Sequence, residues 1–303
     1  MRGRPSTFSI VAADAATGEV GVAVHSKYFA VGAVVPWAKA GVGAVATQAA
    51  GVAAYGPRVL GLLAQGIDPA AALEQALSTD EGRETRQLGV VTAAGAVAAH
   101  TGSECNPWAG HELGDGFAVQ GNILAGEEVV REMARQYGQA RGDMAERLVA
   151  ALEAGQAVGG DKRGQQSAAV VVERAGAGEG SNEGIDRICD LRVDDHEQPI
   201  AELRRLLEIH QRWDVLRQAF AHHQAGRYAE GADVLAAGLA RFPDDPILLY
   251  DLACYESRAG RRADALTHLE RSIELEPSHR EMARGDSDFV SLVGDAEFDA
   301  LVA

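Results

Sequence analysis

The sequence predicts an α+β fold. Short runs of β-branched and small residues come in clusters, and amphipathic helical stretches follow each cluster in blocks instead of alternating with single strands. A 34-residue periodicity confined to the C-terminal part predicts an all-α region after it. At about 100 to 200 residues per domain, the 303 residues suit two cores, with an expected division into 1–210 and 211–303.

Residues 7–12 and 19–27 read as a β-hairpin turning at Thr17 and Gly18. The run VGAVATQAAG from Val42 has the small apolar composition of a strand buried on both faces. YGPRVLGLLAQG then turns helical. IDPAAALEQALS is a second helix, with Asp68 as its cap and Pro69 in its first turn. QLGVVTAAGAVAAHTG reads as two strands about Ala93–Ala94–Gly95, and GFAVQGNIL as another. AGEEVVREMARQY and DMAERLVAALEAG are helices, the first with Glu127 and Glu128 at its positive end. QSAAVVVERAG is the last strong strand, GAGEGSNEG from Gly176 a mobile loop, and PIAELRRLLEIH a Pro-started amphipathic helix. This clustering predicts packed sheets with helices over both outer faces.

Beyond residue 210, Gly226 and Gly260 lie 34 apart, as do Pro243 and Pro277, Leu235 and Leu269, and Ala219 and Ala253. That period, with a central Gly and a closing Pro, is the tetratricopeptide signature. Two repeats are visible, and DSDFVSLVGDAEFDALV is expected to cap them.

Net charge is -16, with 14 Lys+Arg against 18 Asp+Glu in residues 1–174 and 14 against 26 in the rest. Without a basic stripe the chain lacks the electrostatic footprint for nucleic acid, and an anionic membrane would repel it. Cys105, Cys189 and Cys254 are odd in number and match no paired spacing, which argues against a disulfide framework. The first apolar run is broken by Ser9 and Asp14, so it does not read as a signal peptide, and no apolar stretch is long enough for a membrane span. A cytoplasmic location is expected.

Four groups of residues could carry chemistry. Thr7 is either a β-favouring strand starter or a nucleophile. An N-terminal threonine brings its own base, because an α-amine titrates at about 7.7 to 8.0 beside the hydroxyl. At the hairpin's end, His25 and Lys27 alternate to one face and Ser26 to the other. Lys27, one of three lysines, either ends a strand in solvent or steadies an anion. In HTGSECNPWAGH, a trio of His100, Cys105 and His111 could hold zinc but matches no standard spacing. The loop, with Trp108 and His111, reads better as a site wall or an interface. Thr47, Gln48, Gln120 and Asn122 are polar groups in apolar strands that need partners when buried, and could supply oxyanion donors. Asp194, Asp195 and His196 are expected to cap the following helix.

Taken in order, TFSIVA, GEVGVAVHSKYFAVGAVVPWAKAGVGAVATQA, YGPRVLGLL, RQLGVV, AAHTG, PWAGH, VQGNIL, GGDKRGQQSAA and DLRVDDHEQPIAELRRLL resemble a bacterial and archaeal family, domain of unknown function 1028. The resemblance runs from residue 7 to about 210. It implies the N-terminal-nucleophile hydrolase superfamily and its four-layer αββα sandwich. Thr7 matches the family's threonine, which usually follows the initiator Met directly. Here Arg2 is too bulky for ordinary Met removal, so exposure requires cleavage between Ser6 and Thr7. An N-to-O acyl shift, known in the superfamily, would use the same hydroxyl. In GVAAYGP, Ala53 and Ala54 stand where relatives tend to carry Asn-Pro, which removes a polar side chain from the pocket's expected lining.

The expected activity is hydrolysis of an amide-like C–N bond in a small molecule or peptide. Thr7, Lys27, Gln48 and Asn122 are expected in catalysis, and His25, Ser26, Thr47, Trp108 and His111 in substrate binding. No metal or cofactor is required, the chain is expected to dimerise, and the repeats are expected to bind a protein. The rival expectation is a non-catalytic scaffold with Thr7 permanently covered.

Overall fold

The computed structural model describes residues 7–177 and 184–303. Within them the chain divides into two compact units, one ending at Leu207 and the other beginning at Glu208.

In the first unit the opening valines and alanines form β1 (Thr7–Asp14) and β2 (Glu19–Ser26), paired so that Thr7 faces Ser26. Gly18, at φ 74°, supplies the left-handed residue of their turn. Next come β3 (Pro36–Lys39), β4 (Gly43–Ala49), α1 (Tyr55–Leu63) and α2 (Pro69–Leu77). Asp68 caps α2 by accepting from the Ala70 amide, as its position before Pro69 predicts. Then follow β5 (Arg86–Thr92), β6 (Val97–Thr101), β7 (Gly110–Gly114), β8 (Phe117–Asn122), α3 (Glu128–Gln139) and α4 (Met144–Ala157). β9 (Ser167–Arg174), β10 (Arg187–Val193) and the start of α5 (Pro199–Gln224) complete the unit.

All strand pairs are antiparallel. The six-stranded sheet has the order β10-β9-β2-β1-β8-β7, the four-stranded sheet β3-β4-β5-β6. Period-2 alternation divides their side chains among three apolar cores. Val11, Val22 and Val24 meet Ala44, Ala46 and Val91 in a core shared by the two sheets. On the other face of the larger sheet, Phe8, Ile10 and Val119 pack with Met133, Leu148 and Leu203 of α3, α4 and α5. On the other face of the smaller, Val45, Leu88 and Val90 pack with Leu60, Leu63 and Leu73 of α1 and α2.

Three strands depart from the sequence reading: β3, β7 and β10. All are edge strands. One sequence begins with Pro, another has Gly at both ends, and the third carries Arg187, Asp190 and Arg192, so none shows a buried strand's apolar run. The helix cap expected from Asp194 and Asp195 is also corrected. Asp194 pairs with Arg192 and Asp195 accepts from Gln166, while His196 Nδ1 accepts from the Gln198 amide just ahead of α5. The expected loop over residues 176–184 falls mostly outside the described residues.

The second unit is helical: the later part of α5, then α6 (Tyr228–Leu239), α7 (Pro246–Arg258), α8 (Arg262–Leu275), α9 (His279–Gly285) and α10 (Ala296–Val302). Gly226 and Gly260 take φ of 68° and 76°, and each lies two residues before a helix. The 34-residue period thus marks equivalent helix-to-helix turns. Leu235, Leu269, Ala219 and Ala253 are all in this unit's core, so the periodic apolar positions face inward.

Close packing gives one direct test. Gly56 in α1 lies so near Trp37 that an added Cβ would sit 2.1 Å from the indole. Gly56→Ala is expected to destabilise the first unit by about 2 kcal/mol, read as a lower urea midpoint, whereas Gly61→Ala, where nothing lies within 4 Å, is expected to leave it unchanged or raise it.

Candidate functional site

Alternation puts Thr7, Ser9 and Val11 on the face of β1 that looks toward the smaller sheet. Thr7 is fully buried, and its hydroxyl lies 3.2 Å from Ser26 Oγ on β2. On its other side the register sets it opposite Asn122, the last residue of β8. The valine core stops here, and buried polar side chains take its place.

These form one connected set. Ser9 Oγ donates to Gln48 Oε1 at 2.6 Å and accepts from Gln120 Nε2 at 2.6 Å. Gln48 Nε2 donates to Gln87 Oε1 at 2.9 Å and makes longer contacts with the carbonyls of Gln120 at 3.3 Å and Thr7 at 3.4 Å. Gln87 Oε1 also accepts from Asn122 Nδ2 at 3.0 Å. Gln87 Nε2 in turn donates to the Gly121 carbonyl at 2.8 Å, Thr101 Oγ1 at 3.0 Å and the Gly110 carbonyl at 3.1 Å. Such burial is tolerable because the groups satisfy one another. Gln120 Oε1 is the exception: it has no partner and presses on Gly89, where a Cβ would lie 1.9 Å away.

The backbone is strained at the same place. Among the described residues, Ala30, Ala49 and Ile123 are the non-glycine residues with positive φ, at 54°, 67° and 53°. Ala49 directly follows Gln48, and Ile123 directly follows Asn122. A β-branched residue in this region is unfavourable, and such strain gathers at functional sites. A small niche beside Asn122 is lined by Ala49, Thr85, Cys105 and Asn106.

The structure gathers Thr7, Ser26, Gln48 and Asn122 and separates the other expected residues from them. Lys27 is exposed, its ammonium donating to the Gln165 carbonyl at 3.0 Å at the rim of a wider recess with Asp195 and His196. His25 lies on the opposite face of the sheet, packed against Phe8 with ring centroids 4.7 Å apart and planes tilted by 32°. Thr47 also faces away from Gln48's side, and its hydroxyl donates to the Val52 carbonyl. Trp108 packs against the core beneath α3 and α4. His111 Nδ1 meets Thr101 Oγ1 at 2.9 Å and so touches the amide set from its far end.

The residues weighed for zinc are each engaged elsewhere, His100 with the Arg83 carbonyl and Cys105 with the Arg86 carbonyl. Among the described residues, Cys254, Asp286 and Asp288 are the group with three ligand atoms close enough for one ion. That group is in the second unit, where Asp286 accepts from Tyr250 and Asp288 pairs with Arg258.

Three participants escaped the sequence reading, Ser9, Gln87 and Thr101. Ser9 is signalled by its position two residues from Thr7 on the same strand face. Gln87 gives less warning, because a polar residue beside Arg86 at a strand start is ordinary on a protein surface.

Two antiparallel sheets with helices on their outer faces and a polar site at the strand ends between them define a mixed α/β protein built around a buried threonine. The chain belongs to the family of unknown function DUF1028, whose model matches residues 7–203. It is similar to protein SPO2555 from Silicibacter pomeroyi, whose crystal structure is described under the same family model. That similarity is 31% identity over 67% of this chain and 88% of that one, with a TM-score of 0.60. No curated protein matches the chain.

His25 allows a pH test of the sheet beneath Thr7. Both ring nitrogens are buried without a partner. Burial pushes the imidazole from the usual 6.5 down to about 4, with Asp161 opposing the shift and Arg163 and Lys27 reinforcing it. The unfolded chain takes up this proton first, so stability is expected to fall as pH drops from 6.5 toward 4. Urea titrations at several pH values should show that slope reduced in His25→Leu.

Proposed function

We propose that the first unit is an N-terminal-nucleophile hydrolase that cleaves an amide-like C–N bond of a small molecule or peptide, with Thr7 as nucleophile. The observation that carries this reading is the Thr7 hydroxyl itself: it stands at a strand's first described residue, against Ser26 Oγ and opposite Asn122, with a buried amide set behind it and strained backbone on two sides. Apolar packing alone has no use for such an arrangement. The sheet pair with its outer helices is, in this reading, the superfamily's four-layer αββα sandwich.

The chemistry needs a free α-amine on Thr7. Attack of its hydroxyl on the Ser6 carbonyl would break the Ser6–Thr7 C–N bond, leaving an ester on Thr7 and a free α-amine, and water would then hydrolyse that ester and release residues 1–6. In turnover the hydroxyl oxygen attacks the substrate carbonyl while the α-amine takes its proton. The C–N bond breaks, the amine returns the proton to the leaving nitrogen, and water hydrolyses the ester left on Thr7. The developing oxyanion is met by Asn122 Nδ2 together with backbone N–H groups. Gln48 suits a supporting role, because its amide hydrogens already serve Gln87 and two backbone carbonyls. Lys27, exposed at the rim, suits substrate contact better than oxyanion binding.

The second unit is read as tetratricopeptide-like repeats that dock a protein, on a homodimeric, cytoplasmic enzyme that needs no cofactor. The described residues contain no helix long and apolar enough to cross a membrane, which is compatible with that location. A second reading, a scaffold without catalysis, is favoured by one feature: Ser6 precedes Thr7, so until that peptide bond is cut the Thr7 nitrogen is an amide and no base.

Intact mass and an amide library separate the two. The purified chain is expected to lack residues 1–6 and to release an amine from some library member. Thr7→Ala should retain those residues and lose at least about a thousandfold in rate. A wild-type chain that keeps residues 1–6 under all conditions, with amide release unaffected by Thr7→Ala, would contradict the hydrolase reading.

A further inference from the structure

We propose that Gln87 is a positioning residue whose side-chain amide sets the direction of every hydrogen bond between Asn122 and His111. Gln87 Nε2 faces the carbonyl oxygens of Gly121 at 2.8 Å and Gly110 at 3.1 Å, which can only accept. Its orientation is therefore fixed, and reversing the amide would set oxygen against oxygen. The Oε1 must then point at Gln48 Nε2 and Asn122 Nδ2, 2.9 and 3.0 Å away, so both present their NH2 groups to it. Gln48 Nε2 is independently fixed by the Gln120 and Thr7 carbonyls. The two assignments agree.

On the other side, Gln87 Nε2 has two hydrogens for three oxygens: the Gly121 carbonyl takes one at 2.8 Å, and Thr101 Oγ1 at 3.0 Å and the Gly110 carbonyl at 3.1 Å share the other, with Thr101 accepting because an amide nitrogen does not. The Thr101 hydroxyl then has its own hydrogen to place, and the acceptor within reach is His111 Nδ1 at 2.9 Å. His111 is thereby held neutral with its proton on Nε2. Protonation of Nδ1 would turn that acceptor into a donor and strand the Thr101 hydrogen. Burial already pushes the His111 imidazole down, reinforced by His100 on the neighbouring strand β6. Gln120, opposite His111 on β8, carries no charge. Glu112 alternates to the other face of β7 and is exposed to water.

A half-exposed histidine at the sheet edge is in this way wired through Thr101 and Gln87 to the residue paired with Thr7. The wiring stands on geometry alone. Its consequence for catalysis, a fixed Asn122 amide at the oxyanion position, rests on the hydrolase reading.

Nitrogen-15 NMR of the imidazoles tests the wiring on the full chain without any substrate. In the wild type, His111 is expected to show the Nε2–H tautomer alone. Gln87→Met keeps the volume but removes the donor that fixes the direction of the Thr101 hydroxyl, so its hydrogen can turn away and its oxygen accept from His111. An Nδ1–H population should appear and the titration should move to higher pH, while His268 in the second unit titrates as before. If that variant fails to fold, Gln87→Glu, which keeps the acceptor oxygen facing Gln48 and Asn122, is expected to move His111 in the same direction. A wild-type His111 protonated on Nδ1, or a titration unmoved in the folded variant, would overturn the proposal. Neither result depends on whether Thr7 turns over an amide.

Discussion

The acceptance of two hydrogen bonds by one oxygen, Gln87 Oε1, is the interaction on which this end of the first unit depends. Its donors, Gln48 Nε2 and Asn122 Nδ2, come from different sheets. Elsewhere the sheets are held together by valine and alanine side chains, which are indifferent to small rotations and slips. A hydrogen-bonded amide is not indifferent. It admits one orientation, and each of its neighbours is fixed in turn, as far as Ser9 beside Thr7 and Thr101 beside His111. Polar groups here make the packing less adaptable and the geometry more specific.

That specificity coincides with stored strain. Ala49 and Ile123 carry positive φ immediately after the two amides that converge on Gln87. A residue so placed costs on the order of 1–3 kcal/mol, and the surrounding bonds must hold it. The Ile123 amide donates to the Asn106 carbonyl, while Lys162 donates its amide to the Ile123 carbonyl, so the strained residue is pinned on both sides. The strand ends carrying Gln48 and Asn122 are thus clamped by side chain and by backbone. The elements that hold them, β1, β4, β5 and β8, are interior strands of their sheets.

Much of this fold could be read in the sequence because its interior strands and amphipathic helices follow simple periods. Val20 to Val24 and Val170 to Val172 are buried on both faces and announce themselves by composition. The edge strands β3, β7 and β10 did not, since residues such as Glu112 and Arg187 face water and break the apolar signal. The site was legible in part. Gln48 and Asn122 stood out as amides among alanines and valines, and Thr7 through the family resemblance. Gln87 did not, because its importance comes from β7 and β8, brought to it by pairings distant in sequence. Alternation separated Ser26 from His25 correctly, but Lys27 lies beyond the strand's end, and which face belonged to Thr7 depended on the opposite sheet.

The most direct test of the account is a double-mutant cycle on Gln48 and Gln87, using Gln48→Leu, Gln87→Leu and the pair together, with unfolding free energies of the first unit from urea titration. If the amides act as one unit joining the sheets, each single change leaves the other amide buried and one hydrogen bond short. The pair should then be less damaging than the sum, with a coupling of about 1–3 kcal/mol. Effects that add to within about 0.5 kcal/mol would show the two amides to be independent and contradict the account.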